Sequence, residues 1–294
     1  MKGIILAGGS GSRLYPLTSV TSKQLLPIYD KPMIYYSLST LMLAGIKDIL
    51  VISTPSDIPR FQKLLDHGKQ FGIRISYAIQ EQPNGLAESF IIGEEFIGGE
   101  PCAMILGDNF FYGGWFRQIL NKALENIENN MATIFGYYVS DPCRYGIVEF
   151  DKTMRVLSLE EKPSNPKSNY CVTGLYFYPG DVSQKARSLK PSARNELEIT
   201  DLNKIYCSED RLKLQLLGRG FAWTDMGTID SLMDTASFVQ TVQKRQGVVI
   251  SAPEEIAYHE KWICKASLLE SAEKYGNSPY GEHLRQVAED KIYF

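Results

Sequence analysis

The chain has 294 residues, enough for about two domains or for one large α/β domain with an elaborated tail. Its 44% hydrophobic and 22% charged residues lie far from the composition of disordered chains. The 31 Lys and Arg against 34 Asp and Glu give a net charge of −3, so no global basic field draws it to nucleic acid or an anionic membrane, and an anionic ligand needs a local cluster.

In chain order, Gly3–Ala7 reads as a buried strand, and this apolar run is too short for a secretory signal, so a cytoplasmic protein is expected. Pro32 suits the first turn of a helix whose apolar positions Ile34, Leu38, Leu41 and Met42 share a face, with Gly45 as its stop. Residues 32–46 are the longest chargeless stretch, short of the ~20 apolar residues that span a bilayer. A strand at Asp48–Ser53, a helix at Ile58–Gly68, a strand at Ile73–Ile79, a helix at Leu86–Phe96, a strand at Ala103–Leu106, a helix at Trp115–Asn126 and a strand at Ala132–Val139 follow. This alternation predicts a doubly wound, mostly parallel sheet, whose ligand lies beyond the carboxyl ends of the strands, so the loops after Ala7, Ile79 and Leu106 share one crevice.

After Tyr145 the pattern changes to a hairpin of Ile147–Phe150 and Val156–Leu159, then a strand at Thr173–Tyr178, a helix at Glu198–Tyr206 and a strand pair at Lys213–Leu217 and Phe221–Trp223. Helical patterns dominate from Ile229 onward. Five scattered cysteines without a C-x-x-C pair predict reduced thiols rather than a disulfide framework or zinc site. The three histidines have neither metal-ligand spacing nor a nucleophile partner.

Leu6-Ala7-Gly8-Gly9-Ser10-Gly11-Ser12-Arg13 places three glycines and two hydroxyls straight after a strand, then an Arg. Successive backbone N–H groups there form an anion nest and Arg13 adds a bidentate phosphate contact, although a plain tight turn fits the same residues. Leu14 breaks the dinucleotide fingerprint, and the Gly-Lys pair of a P-loop is absent. Lys23 supplies a second cation on a segment able to fold back over the crevice, or a solvated surface charge. Asp108 and Asp225 follow strands as hard oxygen donors for magnesium, or else cap helices. Lys162, flanked by Glu160 and Glu161, reads as a cation aimed at a sugar phosphate or as part of a surface ion-pair run. Gln80, ahead of the Gly85 turn, offers an amide able to read a base, or marks only a turn.

Taken together, Leu6–Leu14 with Pro16 and Thr18, and the run Lys23-Gln24-Leu25-Leu26-Pro27-Ile28-Tyr29-Asp30-Lys31-Pro32-Met33-Ile34-Tyr35-Tyr36, resemble the sugar-1-phosphate nucleotidylyltransferases, and within them the thymidylyl-transferring members most. The resemblance continues through Gly107-Asp108-Asn109, Glu160-Glu161-Lys162-Pro163, Val172–Tyr178, Glu196–Thr200, Gly218–Trp223 and Glu254–Ala257.

It implies a Rossmann-like fold with a small β-rich sugar-binding insertion at about 142–225 inside a core of residues 1–228, and C-terminal helices over 229–294 for assembly and regulation. It also implies condensation of dTTP with glucose 1-phosphate to dTDP-glucose and pyrophosphate, and a homotetramer. Carried onto this chain, Gly8, Gly9, Gly11, Ser12, Arg13, Lys23 and Gln24 hold the nucleotide phosphates and Gln80 and Gly85 read thymine. Gly146, Glu161, Lys162 and Val172 line the sugar pocket, Asp108 and Asp225 hold Mg2+, and Arg13, Lys23, Asp108 and Lys162 carry the chemistry. Glu255, Ile256 and Ala257 are expected at a regulatory site.

Overall fold

Strand Lys2–Leu6 carries the chargeless run Gly-Ile-Ile-Leu and is buried on both faces, as a central strand of a parallel sheet must be. In the computed structural model, which describes residues 1–9 and 11–292, it lies between strands Asp48–Ser53 and Cys102–Leu106 and runs parallel to both. Strand Arg74–Ile79 extends the parallel set beyond Asp48–Ser53. Chain order therefore reverses between Lys2–Leu6 and Cys102–Leu106, where an open α/β sheet forms a crevice.

Beyond Cys102–Leu106 the nine-stranded sheet becomes mixed. Strand Tyr170–Tyr178 pairs antiparallel with it and with Ala132–Tyr138, which in turn takes Leu212–Leu217 as a parallel edge. Hairpin Gly146–Phe150 and Val156–Glu161 joins through the pairing of Ile147 with Cys171.

Alternation along the strands divides the core between the two faces. Ile5 packs with helices Ile34–Leu43, Ile58–Leu65 and Phe116–Glu128, whereas Ile4 and Leu6 pack with Phe90, Ile97 and helices Val182–Ser188 and Ile199–Ser208. Helix Ile229–Gln246 starts at a capping box of Thr228 and Ser231 and buries Leu232 and Val239 against Leu14, Ile28 and Phe110. Helices Pro253–His259, Lys265–Lys274 and Pro279–Ala288 complete the chain, the first packed on Ile34–Leu43.

Three expectations need correction. Lys213–Leu217 and Phe221–Trp223 are strands but not partners: Leu212–Leu217 joins the large sheet, while Ala222–Asp225 pairs with Asn109–Tyr112, a strand the sequence pattern did not reveal. The helix expected over Leu86–Phe96 is split into Glu88–Ile92 and Glu94–Ile97 at Gly93, where a Cβ would stand 3.2 Å from Ile4 and Leu50, so the split seats the segment on the sheet. Pro32 lies in a two-residue strand, Lys31–Pro32, paired with Pro27–Ile28, and the helix begins at Ile34.

Asn109 joins three strands: its Oδ1 accepts from Trp223 Nε1 at 2.7 Å and from the Gly174 N–H at 3.1 Å, both in the interior. Asn109→Ala leaves two buried donors without an acceptor and should cost about 2–5 kcal/mol of stability. A chemical-denaturation midpoint equal to that of the unmodified chain would refute the anchor.

Candidate active site

The glycine-rich exit follows directly from the strand. Ala7 still donates to Ile52 O at 2.8 Å, and the backbone then turns through Gly9 at φ 96° and Gly11 at φ 59°. Thr18 Oγ1 donates to Gly11 O at 2.8 Å and fixes the turn from outside. Arg13 rides on the short turn Ser12–Leu14, and its guanidinium comes within 3.1 Å of where a Cβ on Gly227 would stand, beside Asp225.

Lys23 does fold back over this turn. Buried Gln24 accepts from Ser22 Oγ at 2.5 Å and donates to Gly8 O at 3.5 Å, and Gly107 leaves room for its side chain. Gln24 thus ties the Lys23 segment to the glycine turn, and the Lys23 ammonium pairs with Asp108.

The two aspartates meet because Asn109–Tyr112 and Ala222–Asp225 pair antiparallel with Asn109 opposite Asp225, while Met226 donates to Asp108 O at 3.0 Å. Neither is a helix cap: Asp108 precedes a strand, and Thr228 caps the helix after Asp225. Burial works to raise Asp108, but the Lys23 charge and hydrogen bonds from Lys23 and Asn109 hold its carboxyl below the usual range. Asp225 is pushed up to about 6 by burial and by the adjacent Asp108 charge, against Lys23, Arg13 and Arg144.

Next to the aspartates lies a lobe of about 260 Å³ walled by Gly146, Glu161, Lys162, Val172 and Arg194. Gly146 sits opposite Glu161 across the hairpin, and Glu161 Oε2 accepts from Thr200 Oγ1 at 2.5 Å. Lys162 is exposed and adopts φ 44°, its N–H donating to Tyr145 O at 3.0 Å. Arg194 reaches Glu198 at 2.7 Å and Glu161 at 3.4 Å. A second lobe of about 330 Å³, walled by Gly8, Gly9, Lys23, Gln80 and Gly85, shares Arg13, Asp108 and Glu196 with the first, so the two form one crevice at the three strand exits.

Of the expected site residues, Gly11 and Ser12 lie outside the walls of both lobes, Ser12 being exposed, and Ser10 lies outside the described residues. Glu255 and Ile256 line a separate cavity of about 520 Å³ with Phe111, Tyr112 and Arg117, whereas Ala257 packs in the core.

The walls of the crevice carry five cations, Arg13, Lys23, Arg144, Lys162 and Arg194, and five carboxylates, Asp108, Glu161, Glu196, Glu198 and Asp225. Among the described residues no group of three or more His, Cys, Asp or Glu is placed to hold a metal ion. Asp108 and Asp225 fit a divalent cation of the kind that binds through one or two carboxylates and completes its shell with substrate phosphates and water.

The sequence pattern of the family described as "Nucleotidyl transferase" matches residues 2–242. The chain belongs to the nucleotidyl transferase family. A glucose-1-phosphate thymidylyltransferase of Neisseria gonorrhoeae is 56% identical over 97% of this chain and 98% of its own length. One of Mycobacterium tuberculosis strain H37Rv is 53% identical over 98% of this chain and 99% of its own. Among solved structures, a Bacillus anthracis protein described as a glucose-1-phosphate thymidylyltransferase, in complex with sucrose, superposes with a TM-score of 0.75 at 38% identity, covering 81% of this chain and 94% of that one. A UDP-glucose pyrophosphorylase complexed with UDP-glucose shares the fold, with a TM-score of 0.71 at 23% identity over 82% of this chain and 98% of that one.

This nucleotidyltransferase brings into its crevice residues to which the sequence reading gave no site role, chiefly Arg144, Arg194, Glu196 and Glu198. Arg194 had one signal, a cation just ahead of the Glu196–Thr200 run, but its partner Glu161 is distant in sequence. Gly85 adopts φ 107°, and a Cβ there would stand 2.4 Å from Leu197 O. Gly85→Ala must therefore push the Pro83–Leu86 wall off the 196–198 segment, and the nucleotide KM should rise by about tenfold with the fold retained. Steady-state kinetics with an unchanged nucleotide KM would show that the close approach does not shape the pocket.

Proposed function

We propose that the enzyme transfers a thymidylyl group from dTTP to α-D-glucose 1-phosphate, giving dTDP-glucose and pyrophosphate, the entry to dTDP-L-rhamnose and related deoxysugars. One observation carries this reading: two lobes, one walled by the glycine turn and Gln80 and the other by Glu161 and Lys162, meet at Arg13 and the paired aspartates. The relatives' names fit it, since a nucleotide and a sugar phosphate are the two molecules such a double site requires.

A sugar-phosphate oxygen attacks the α-phosphorus of dTTP; a P–O bond forms there, the α–β bridging P–O bond breaks, and pyrophosphate leaves with the electron pair. No protein nucleophile is needed, so this chain contributes positioning and charge neutralisation. The glycine-turn N–H groups and Arg13 hold the triphosphate, and Lys23, tied down by Gln24, faces the departing pyrophosphate. Lys162 neutralises the attacking sugar phosphate, while Gly146, Glu161 and Val172 shape the glucose pocket. Asp108 and Asp225 hold magnesium, which supplies neutralisation of phosphate charge that the balanced side chains do not.

No helix among the described residues is long and apolar enough to cross a membrane. The reading further places the enzyme in the cytoplasm as a homotetramer, with residues 1–228 as catalytic core, about 142–225 as its sugar-binding part and 229–294 serving assembly and regulation. Glu255 and Ile256, in their separate cavity, form the regulatory site for the pathway's end product.

Pyrophosphate release from glucose 1-phosphate with each of dTTP, UTP, ATP, CTP and GTP, with and without magnesium, tests the assignment. Magnesium-dependent release led by dTTP is expected; release led by UTP would transfer the assignment to uridylyl transfer, and no release would end it. Asp108→Asn and Asp225→Asn each remove a negative oxygen ligand and should lower turnover by at least about a hundredfold, whereas normal rates at limiting magnesium would refute the pair. The double variant Glu255→Ala, Ile256→Ala should lose end-product inhibition while turnover persists, and inhibition retained at full strength would remove the regulatory assignment.

A further inference from the structure

We propose that Glu88 determines which nucleobase the enzyme accepts, by locking the side-chain amide of Gln80 in one orientation. This rests on the reading that the lobe lined by Gly8, Gln80 and Gly85 takes the nucleotide base. Gln80 leaves the strand Arg74–Ile79 with its N–H on Ser53 O at 2.9 Å, and its side chain is buried in the wall of that lobe. Gln80 Nε2 lies 2.7 Å from Glu88 Oε2 and 3.4 Å from Gly85 O, and Asn84 Nδ2 lies 2.8 Å from Glu88 Oε1.

A carboxylate accepts hydrogen bonds and donates none. The Gln80 atom facing Glu88 must therefore be the amide nitrogen, because the opposite assignment would set two acceptors against each other. Both Gln80 N–H groups are then turned toward residues 85–88, and Oε1 lies on the cavity side, 3.0 Å from where a Cβ on Gly8 would stand. The lobe thus offers a base an acceptor at this point and no donor.

Thymine and uracil carry an N–H at ring position 3, which such an acceptor binds. Cytosine carries an acceptor there, which faces Oε1 without a proton between them. A free amide would serve either base by turning over, so the discrimination depends on what prevents the turn, and a pocket that must leave a polar group unpaired rejects the wrong ligand strongly. The platform under Glu88 is itself fixed: Leu197 donates to Asn84 O at 2.6 Å, Ala87 donates to Leu197 O at 3.1 Å, and Gly85 packs against Leu197 with no room for a side chain.

The experiment compares dTTP with dCTP by pyrophosphate release, as the ratio of their kcat/KM values, in the unmodified enzyme and in Glu88→Ala and Glu88→Gln, each checked for folding by its thermal midpoint. The preference for dTTP should fall by at least about tenfold in Glu88→Ala and at least about threefold in Glu88→Gln, whose uncharged side chain can pair with either orientation of Gln80. A merely structural role lowers both substrates alike and leaves the ratio in place. An unchanged ratio in folded Glu88→Ala, or in Glu88→Gln should the alanine variant not fold, overturns the proposal. Failure of the broader reading looks different: the unmodified enzyme itself then shows no preference for dTTP, which removes the Glu88 assignment with it.

Discussion

The site depends on one short antiparallel pairing, Asn109–Tyr112 with Ala222–Asp225, held by a single buried amide. Asn109 donates to Asp108 Oδ1 at 3.1 Å and accepts from Trp223 and Gly174, so the same side chain fixes the acid at the end of one strand and the strand that carries the other. Ser37 adds a bond from its Oγ to Leu106 O at 3.0 Å, securing the turn that projects Asp108. A buried and a half-buried carboxylate side by side are costly in isolation, and the neighbouring Lys23, Arg13 and Arg144 offset that cost.

That charge arrangement explains how the crevice can serve two anionic ligands at once. Five cations and five carboxylates line it, so no large excess of positive charge destabilises the empty site. Arg194 illustrates this: it is held by Glu198 and Glu161 and stands already oriented in the wall of the lobe lined by Gly146 and Lys162.

The C-terminal helices are coupled to the same framework through buried charge. Lys31, three residues after Ile28, pairs with Asp30 at 2.7 Å and lies over the Tyr36 and Tyr280 rings, and Tyr280 donates to Glu254 at 2.6 Å. Burial lowers the Lys31 amine and raises the Glu254 carboxyl, each toward its neutral form. Lys31 thus meets Tyr280 of helix Pro279–Ala288, and the neighbouring helix Ile34–Leu43 packs on Pro253–His259, the helix that carries Glu255 and Ile256.

Local pattern determined much of this protein. The chargeless or alternating runs gave strands within a residue or two of their observed ends, Asp48–Ser53 at both, except that Tyr170–Tyr178 starts three residues before the expected Thr173, because periodic burial is recorded in the sequence itself. That Gly8, Gly9, Arg13, Lys23, Gln80, Asp108 and Lys162 belong to one crevice was legible through the family resemblance, since each by itself also fits a tight turn, a surface charge or a helix cap. Tertiary structure alone decided the rest. The pairing that unites Asp108 with Asp225, the approach of Arg194 to Glu161, the break at Gly93, the burial of Ala257 in the core and the grip of Glu88 on Gln80 all require knowing which distant or folded-back segment lies opposite. Hydrophobic periodicity reports that a residue is buried but not against what, and hydrogen-bond partners are chosen only when the chain has closed around them.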